Sequence, residues 1–289
     1  MDRRVSGVDR RMSRMDRRTK GVGRRYTLAD VRASYTPEKA WAEMQGDLLC
    51  YLVYRKLSFY VTPPLLRLGV PIMAVTLGSL AIALGMAAVA ARGGERAWLA
   101  VAALGFLYHV LDCVDGNMAR TTGRTSRLGA IVDGTCDMAF WCLLLLSLGL
   151  LVAGQGGGLF GAHAREFSLA LCVLLLLNRQ TRDNFAVQNA VPSYFRAVRP
   201  ARIPPAQWLL MAVTGLEFGY VFAIAAGGAF GVLDWVLAGT GVYVAAIFVG
   251  ALALTVRQAA ALDRSGPAEP GPARPSAERD AATSASDPR

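Results

Sequence analysis

Histidine is the scarcest chemistry-bearing residue in this chain, with His109 and His163 the only two in 289. That scarcity excludes a metal centre built on several histidines. His109 lies one turn before an aspartate, where a packed or hydrogen-bonded role is the more ordinary one. His163 falls in a loop expected on the opposite side and has less claim. The five cysteines (Cys50, Cys113, Cys136, Cys142, Cys172) form no CxxC pair and no metal-ligand spacing with the histidines. Most sit in apolar runs, where cysteine behaves as a small hydrophobe, so no disulfide framework is implied. Charge is scarce as well. Only 18% of residues are charged against 54% hydrophobic, and the mean hydropathy is +0.35. An ordinary soluble domain is excluded on that balance, and a polytopic helical membrane protein fits it. No cleavable signal peptide is expected, because the arginine-rich start is too long and lacks an apolar core directly behind it.

What charge there is has been spread unevenly. The net +10 is concentrated in the first 25 residues, around Arg120–Arg127, and through Arg179–Arg202. No aromatic-interleaved or zinc-type motif accompanies the basic start, so nucleic acid is not the expected partner. Residues 1–36 read instead as a basic disordered arm drawn to anionic lipid. Residues 37–68, mixed apolar and basic, read as an interfacial amphipathic helix ending at Pro63-Pro64. Six apolar stretches of spanning length follow within residues 69–257, near 70–91, 98–118, 129–152, 167–187, 208–230 and 232–256. Residues 258–289, rich in Pro, Ala and Ser, read as a disordered tail. The expected fold is thus an all-α integral membrane protein with six transmembrane helices behind an interfacial amphipathic helix. Arginine-rich segments fall on one side of it, which places both termini and the loop after the second span at the cytoplasmic face.

Four aspartates lie in or beside the second and third spans, where carboxylates are expensive and mark function. Residues 111–137 read LDCVDGNMARTTGRTSRLGAIVDGTCD, a pattern D-x2-D-G-x2-A-R-x8-G-x3-D-x3-D. Asp112 and Asp115 are three apart, and Asp133 and Asp137 four apart, so each pair shares one helix face. Two such pairs facing each other across a short loop make an oxygen-rich cage suited to Mg²⁺ or Mn²⁺.

Asp112, Asp115, Gly116, Ala119, Arg120, Gly129, Asp133 and Asp137 carry a spacing that resembles the signature of the CDP-alcohol phosphotransferases, integral membrane enzymes of phospholipid head-group synthesis. The resemblance implies transfer of a phosphoalcohol group, phosphatidyl where the donor is CDP-diacylglycerol, from a CDP-alcohol to a polar alcohol, with release of CMP. Such displacement is mostly positioning and charge neutralisation. Asp112, Asp115 and Asp133 are the expected ligands of two divalent ions. Asp137 is the expected general base for the acceptor hydroxyl and a further metal contact. Gly116 and Ala119 let nucleotide approach the helix backbone, Arg120 neutralises phosphate, and Gly129 is a packing position in the same nucleotide and pyrophosphate site. By the same resemblance, Arg179 and Arg182 hold a phosphorylated acceptor, although their place also suits a positive-inside flank. Arg55, Ser58, Thr62, Pro71 and Thr76 resemble the segment leading into the family's first span, with Pro71-Ile72 where a Pro-Asn step is usual. A homodimer is implied too.

Two other readings stand beside this one. The first is a CDP-choline or CDP-ethanolamine phosphotransferase with diacylglycerol as acceptor, although Gly134 stands where that group often has histidine. The second, from a different class, is a non-enzymatic transporter or scaffold with an aspartate-lined path. Prenyl transferases also use aspartates and magnesium on pyrophosphate, but their pairs lie on distant helices.

Overall fold

The computed structural model describes residues 26–156, 158–189 and 202–265. Every regular element among them is helical. α1 (Leu28–Ala33) starts at a reciprocal cap in which the Thr27 hydroxyl accepts from the Asp30 N–H and the Asp30 carboxylate accepts from the Thr27 N–H. α2 (Pro37–Gly46) carries proline in its first turn behind the Thr36 cap, where a missing N–H costs nothing. One π-helical turn, Cys50–Tyr54, then feeds α3 (Arg55–Arg67).

Five helices are long and apolar enough to cross a membrane: α4 (Ile72–Arg92), α5 (Ala97–Thr122), α6 (Arg127–Gly154), α7 (Ala164–Asn189) and α10 (Leu233–Ser265). Between the last two lie α8 (Pro205–Thr214) and α9 (Tyr220–Phe230), joined by a short 3₁₀ turn, Leu216–Gly219. This pair is bent by 54°. The straight span expected at 208–230 is therefore broken, and six crossings are reached only if the bent pair counts as one. The break has a local cause. A Cβ on Gly215 would lie 3.0 Å from the Leu48 backbone nitrogen, and the Thr214 hydroxyl reaches the Gln45 carbonyl at 3.3 Å. α8 thus ends where its backbone meets the end of α2.

α4, α5 and α6 pack on one another, α7 lies on α6, α10 on α7, and α9 on α5. Small residues allow the closest approaches, as at Gly105, where a Cβ would sit 2.7 Å from Val221 Cγ1. The core between α5, α6 and α9 is closed by Val101, Leu144, Leu148 and Ile224, while Leu84, Val173 and Val249 face outward, as suits lipid.

The segment before the spans departs from expectation in three ways. Residues 28–33, expected within a disordered arm, form the capped α1; residues 1–25 lie outside the described residues. Residues 37–68 are two helices and a π turn rather than one helix, and α3 runs through Pro63 and Pro64 to Arg67. Its buried face is mixed, with polar Arg55, Ser58 and Thr62 turned inward alongside Phe59, Pro63 and Leu66. Tertiary hydrogen bonding, described next, outweighs the two missing N–H groups. At the other end α10 continues to Ser265, beyond the expected boundary at 257, and 266–289 lie outside the described residues.

Candidate active site

α5 and α6 form an antiparallel hairpin whose turn sets the level of the carboxylates. α5 stops at Gly123, left-handed at φ 66°, with the Gly123 and Arg124 N–H groups returning to the Arg120 and Ala119 carbonyls. Ser126 then caps α6, its hydroxyl accepting from the Gly129 N–H at 2.9 Å. Asp115 stands eight residues before Gly123 and Asp133 seven after Ser126, roughly 11–12 Å along each helix. They come abreast. Asp112, Asp115 and Asp133 each offer an oxygen within 4.8 Å of the others. Thr76 of α4 donates to Asp115 Oδ2 at 2.6 Å, tying the first span to the cluster.

Asp137, one turn further along α6, falls outside this trio; its Oδ1 accepts from the Tyr108 hydroxyl at 3.2 Å. Among the described residues no basic side chain is hydrogen-bonded to any of the four. Three crowded carboxylates without a cation between them repel one another, and a hard divalent ion fits both their charge and their all-oxygen donor set.

A buried polar network backs the cluster. Asn117, fully buried, accepts from Arg55 Nη1 at 3.1 Å and Arg120 Nη2 at 2.8 Å on its Oδ1, and its amide donates to Ser58 Oγ at 2.8 Å. Arg55 also gives its Nε to both Glu43 oxygens, at 3.0 and 3.1 Å, and its Nη1 to the Cys113 carbonyl at 2.8 Å. Burial pushes the Glu43 carboxyl up, but the Arg55 charge and hydrogen bonds outweigh it and hold the group below its usual range. Asp47, just past the end of α2, has no ion pair with a basic side chain among the described residues. Burial first, then the Glu43 charge, pushes it up to about 6.

Arg120 is left with a buried Nε that has no partner among the described residues. A Cβ on Gly116 would lie 3.2 Å from Arg120 Nη1, so glycine there keeps room for the guanidinium. Gly129 serves the cap, its Cβ position being 3.0 Å from Ser126 Oγ.

Two cavities meet at the cluster. One of about 340 Å³ opens between α4 and the α5–α6 turn, with Thr76, Ala119, Ser126 and Gly129 on its walls. The other, about 230 Å³, lies on the far side, beside Asp47, Tyr108, Asp112 and Asp137. Asp115, Gly116 and Asp133 line both. Arg179 and Arg182, expected at an acceptor phosphate, line neither. Arg179 is exposed and bonded to Asp183 at 2.7 Å, a pairing one helical turn apart.

Several members of this site escaped the sequence reading. Asn117 sits in an untyped gap of the aspartate pattern, and its only signal is a polar residue in an apolar helix. Glu43 and Asp47 lie in a segment whose mixed composition resembles an interfacial helix, and nothing local marks them as buried.

The sequence profile of the CDP-alcohol phosphatidyltransferases matches residues 70–238, from the start of the first span to the beginning of the last. A phosphatidylinositol phosphate synthase of Streptomyces avermitilis is 32% identical over 164 residues, which is 50% of this chain and 65% of that relative. The chain therefore spans a little under two thirds of the relative's length. The profile match takes in the aspartate hairpin, both cavity walls that it builds and the bent span. On that extent, the chain belongs to the CDP-alcohol phosphatidyltransferase family.

Proposed function

We propose that this protein transfers a phosphatidyl group from CDP-diacylglycerol to the hydroxyl of a polar alcohol, releasing CMP, at the cytoplasmic face of a membrane. The observation that carries the reading is the pair of cavities sharing one wall at Asp115, Gly116 and Asp133. A transferase needs two substrates on either side of one reacting phosphorus, and a path or scaffold does not.

In this reading the larger cavity takes the nucleotide. The Ala119 and Gly129 positions leave its wall low, and Arg120, which lines the smaller cavity beside the shared Gly116, keeps an unpartnered Nε–H for the pyrophosphate where the two cavities meet. Asp112, Asp115 and Asp133 would hold Mg²⁺ or Mn²⁺, with Asp137 as a ligand of a second ion. Cations held there would supply charge neutralisation at the phosphate. The acceptor enters from the smaller cavity. Its oxygen attacks the phosphorus on the lipid side, the bond to the CMP oxygen breaks, and CMP leaves with that electron pair. Asp137 takes the hydroxyl proton, and Tyr108 holds its other lone pairs in place. The functional unit is a homodimer.

Purified protein in detergent, given CDP-diacylglycerol, an alcohol panel and Mg²⁺ or Mn²⁺, is expected to release CMP only when an acceptor is present, and to stop when the cation is chelated. CMP release that ignores both acceptor and cation would remove the transferase reading.

A further inference from the structure

At the edge of the smaller cavity, the π turn brings two thiols and a carboxylate together. Cys50 opens that turn, and Cys113 stands on α5 directly after Asp112. Their Sγ atoms are 3.4 Å apart, and both side chains are buried. Cys50 Sγ also meets Glu43 Oε1, donating to it at 3.3 Å. The three donor atoms all lie within 4.8 Å of one another. Glu43 and Cys50 line the cavity, so the cluster can be reached through it.

The spacing suits a tetrahedral cation. Bonds of about 2.3 Å to sulfur and about 2.0 Å to oxygen set two sulfurs about 3.8 Å apart, and a sulfur and an oxygen about 3.5 Å apart. The Cys50–Cys113 and Cys50–Glu43 separations differ from these values by less than about half an ångström. A disulfide would need the sulfurs to close to about 2.0 Å, a larger displacement.

The carboxylate is already held as a metal ligand must be held. Arg55 Nε donates to Glu43 Oε1 at 3.0 Å and to Oε2 at 3.1 Å, and the Tyr35 hydroxyl donates to Oε2 at 3.0 Å. Partners of this kind orient a ligand and keep it ionised. The Oε1 lone pair that now receives the Cys50 S–H would face the cation instead. Charge balances too. Exchanging two thiol protons for one divalent cation leaves the net charge of the cluster unchanged, with Arg55 still offsetting Glu43, and the two protons leave to water. No unpaired charge is buried.

From this arrangement we infer a second metal site, at Cys50, Cys113 and Glu43, that takes a thiophilic divalent cation of the zinc class. Thiolates select such cations, whereas the all-oxygen aspartate trio suits Mg²⁺ or Mn²⁺. Three protein donors leave the fourth tetrahedral position to water. The inference concerns binding alone and does not depend on the transferase reading.

Cadmium is the probe, because its bond to thiolate gives an ultraviolet charge-transfer band that oxygen sites lack. Full-length protein in detergent, stripped with a chelator and kept reduced with a phosphine, is titrated with Cd²⁺ in excess Mg²⁺. The band should saturate at a single cation per chain, fade as Zn²⁺ is added and ignore further Mg²⁺. Cys50→Ser and Cys113→Ser should each weaken Cd²⁺ binding at least about tenfold, the loss found even for a partner that only orients a ligand. Cys142 and Cys172 supply the control. Cys172 Sγ lies 3.4 Å from the Cys142 carbonyl, but among the described residues no acidic side chain joins these thiols at ligand distance. Replacing both by serine should leave Cd²⁺ binding unchanged. Absence of the band in reduced wild-type protein overturns the inference, with no variant needed. A band of wild-type strength in either single variant, or one lost when Cys142 and Cys172 are replaced, overturns it as well.

Discussion

At the scale of single residues, the four aspartates divide into two kinds. Asp112, Asp115 and Asp133 crowd within 4.8 Å, whereas Asp137, outside that trio, accepts from Tyr108 and touches Asp112 alone of the three by a side-chain hydrogen bond. The division predicts different failures. Asp115→Asn removes one charged oxygen from the trio and should weaken cation-dependent CDP binding by about tenfold or more, a loss of about 1.4 kcal/mol. Asp137→Asn keeps the trio intact and should abolish turnover, with CDP affinity within a few-fold of wild type. Titrating CDP with and without cation, alongside CMP release, checks both. Full turnover in the Asp137→Asn protein would take that residue out of the mechanism. The aspartates were legible in the sequence because their cost in an apolar helix makes them conspicuous and because helical periodicity fixes which of them share a face. His109 was legible only as a residue near the site. That its Nε2 lacks a partner among the described residues depends on rings from α6 and from the turn before α9, far away in sequence.

At the scale of elements, Glu43 in α2 and Asp47 just past its end are two acids whose surroundings pull in opposite directions. Glu43 is paired with Arg55 and held below its usual pKa, so its contribution to stability is complete above about pH 4.5 and is lost as pH falls through its lower folded value. Removing one partner of a buried pair costs about 3–5 kcal/mol. Asp47, raised to about 6 from 3.8, is the reverse. Its charged form is disfavoured by folding, so the penalty is absent below about 3.8 and complete above about 6. With cations chelated, Glu43→Gln should therefore lower the thermal midpoint near pH 8, with the deficit shrinking toward pH 4. Asp47→Asn should raise the midpoint near pH 8 and leave it unchanged below pH 4. Melting curves across that range decide the matter, and parallel pH responses in the two variants would contradict the assignment.

The same element shows why its fold was hard to read. Trp41, Tyr51, Tyr54, Phe59 and Tyr60, set among Arg55, Lys56 and Arg67, have the composition of a helix lying in the headgroup layer. Which face turns inward is set by Asn117 on α5, some sixty residues away. Pro63 and Pro64 suggest a stop for the same reason. A local rule applies until long-range hydrogen bonds and the packing of Leu66 against the neighbouring helices outweigh it. The bend at Gly215 is likewise hard to read from hydropathy, since 208–230 is apolar but for Glu217 and contact with Leu48 locates the break.

At the scale of the whole molecule, the arrangement of basic residues predicts the side on which the chemistry occurs. Arg120, Arg124 and Arg127 flank the α5–α6 turn at the mouth of the larger cavity, and the α4–α5 loop lies at the opposite end of the bundle. If the turn faces the cytoplasm, Glu95→Cys in that loop should react with a membrane-impermeant maleimide in intact cells. Leu68→Cys, exposed beside the start of α4, should react only after the cells are opened. The native thiols are buried or half-buried and give a low background. The opposite labelling pattern would invert the topology and place the nucleotide cavity outside.

The two cavities also differ in when they can exist. Every wall of the larger one comes from residues 72–133, within three consecutive helices, so it is complete once α6 has entered the membrane. The smaller one draws on α2, on α5 and α6, and on Phe218 at the bend, so it stays open until the broken span arrives from the ribosome. In the proposed reading, the cavity for the nucleotide is thus finished during synthesis well before the wall that encloses an acceptor.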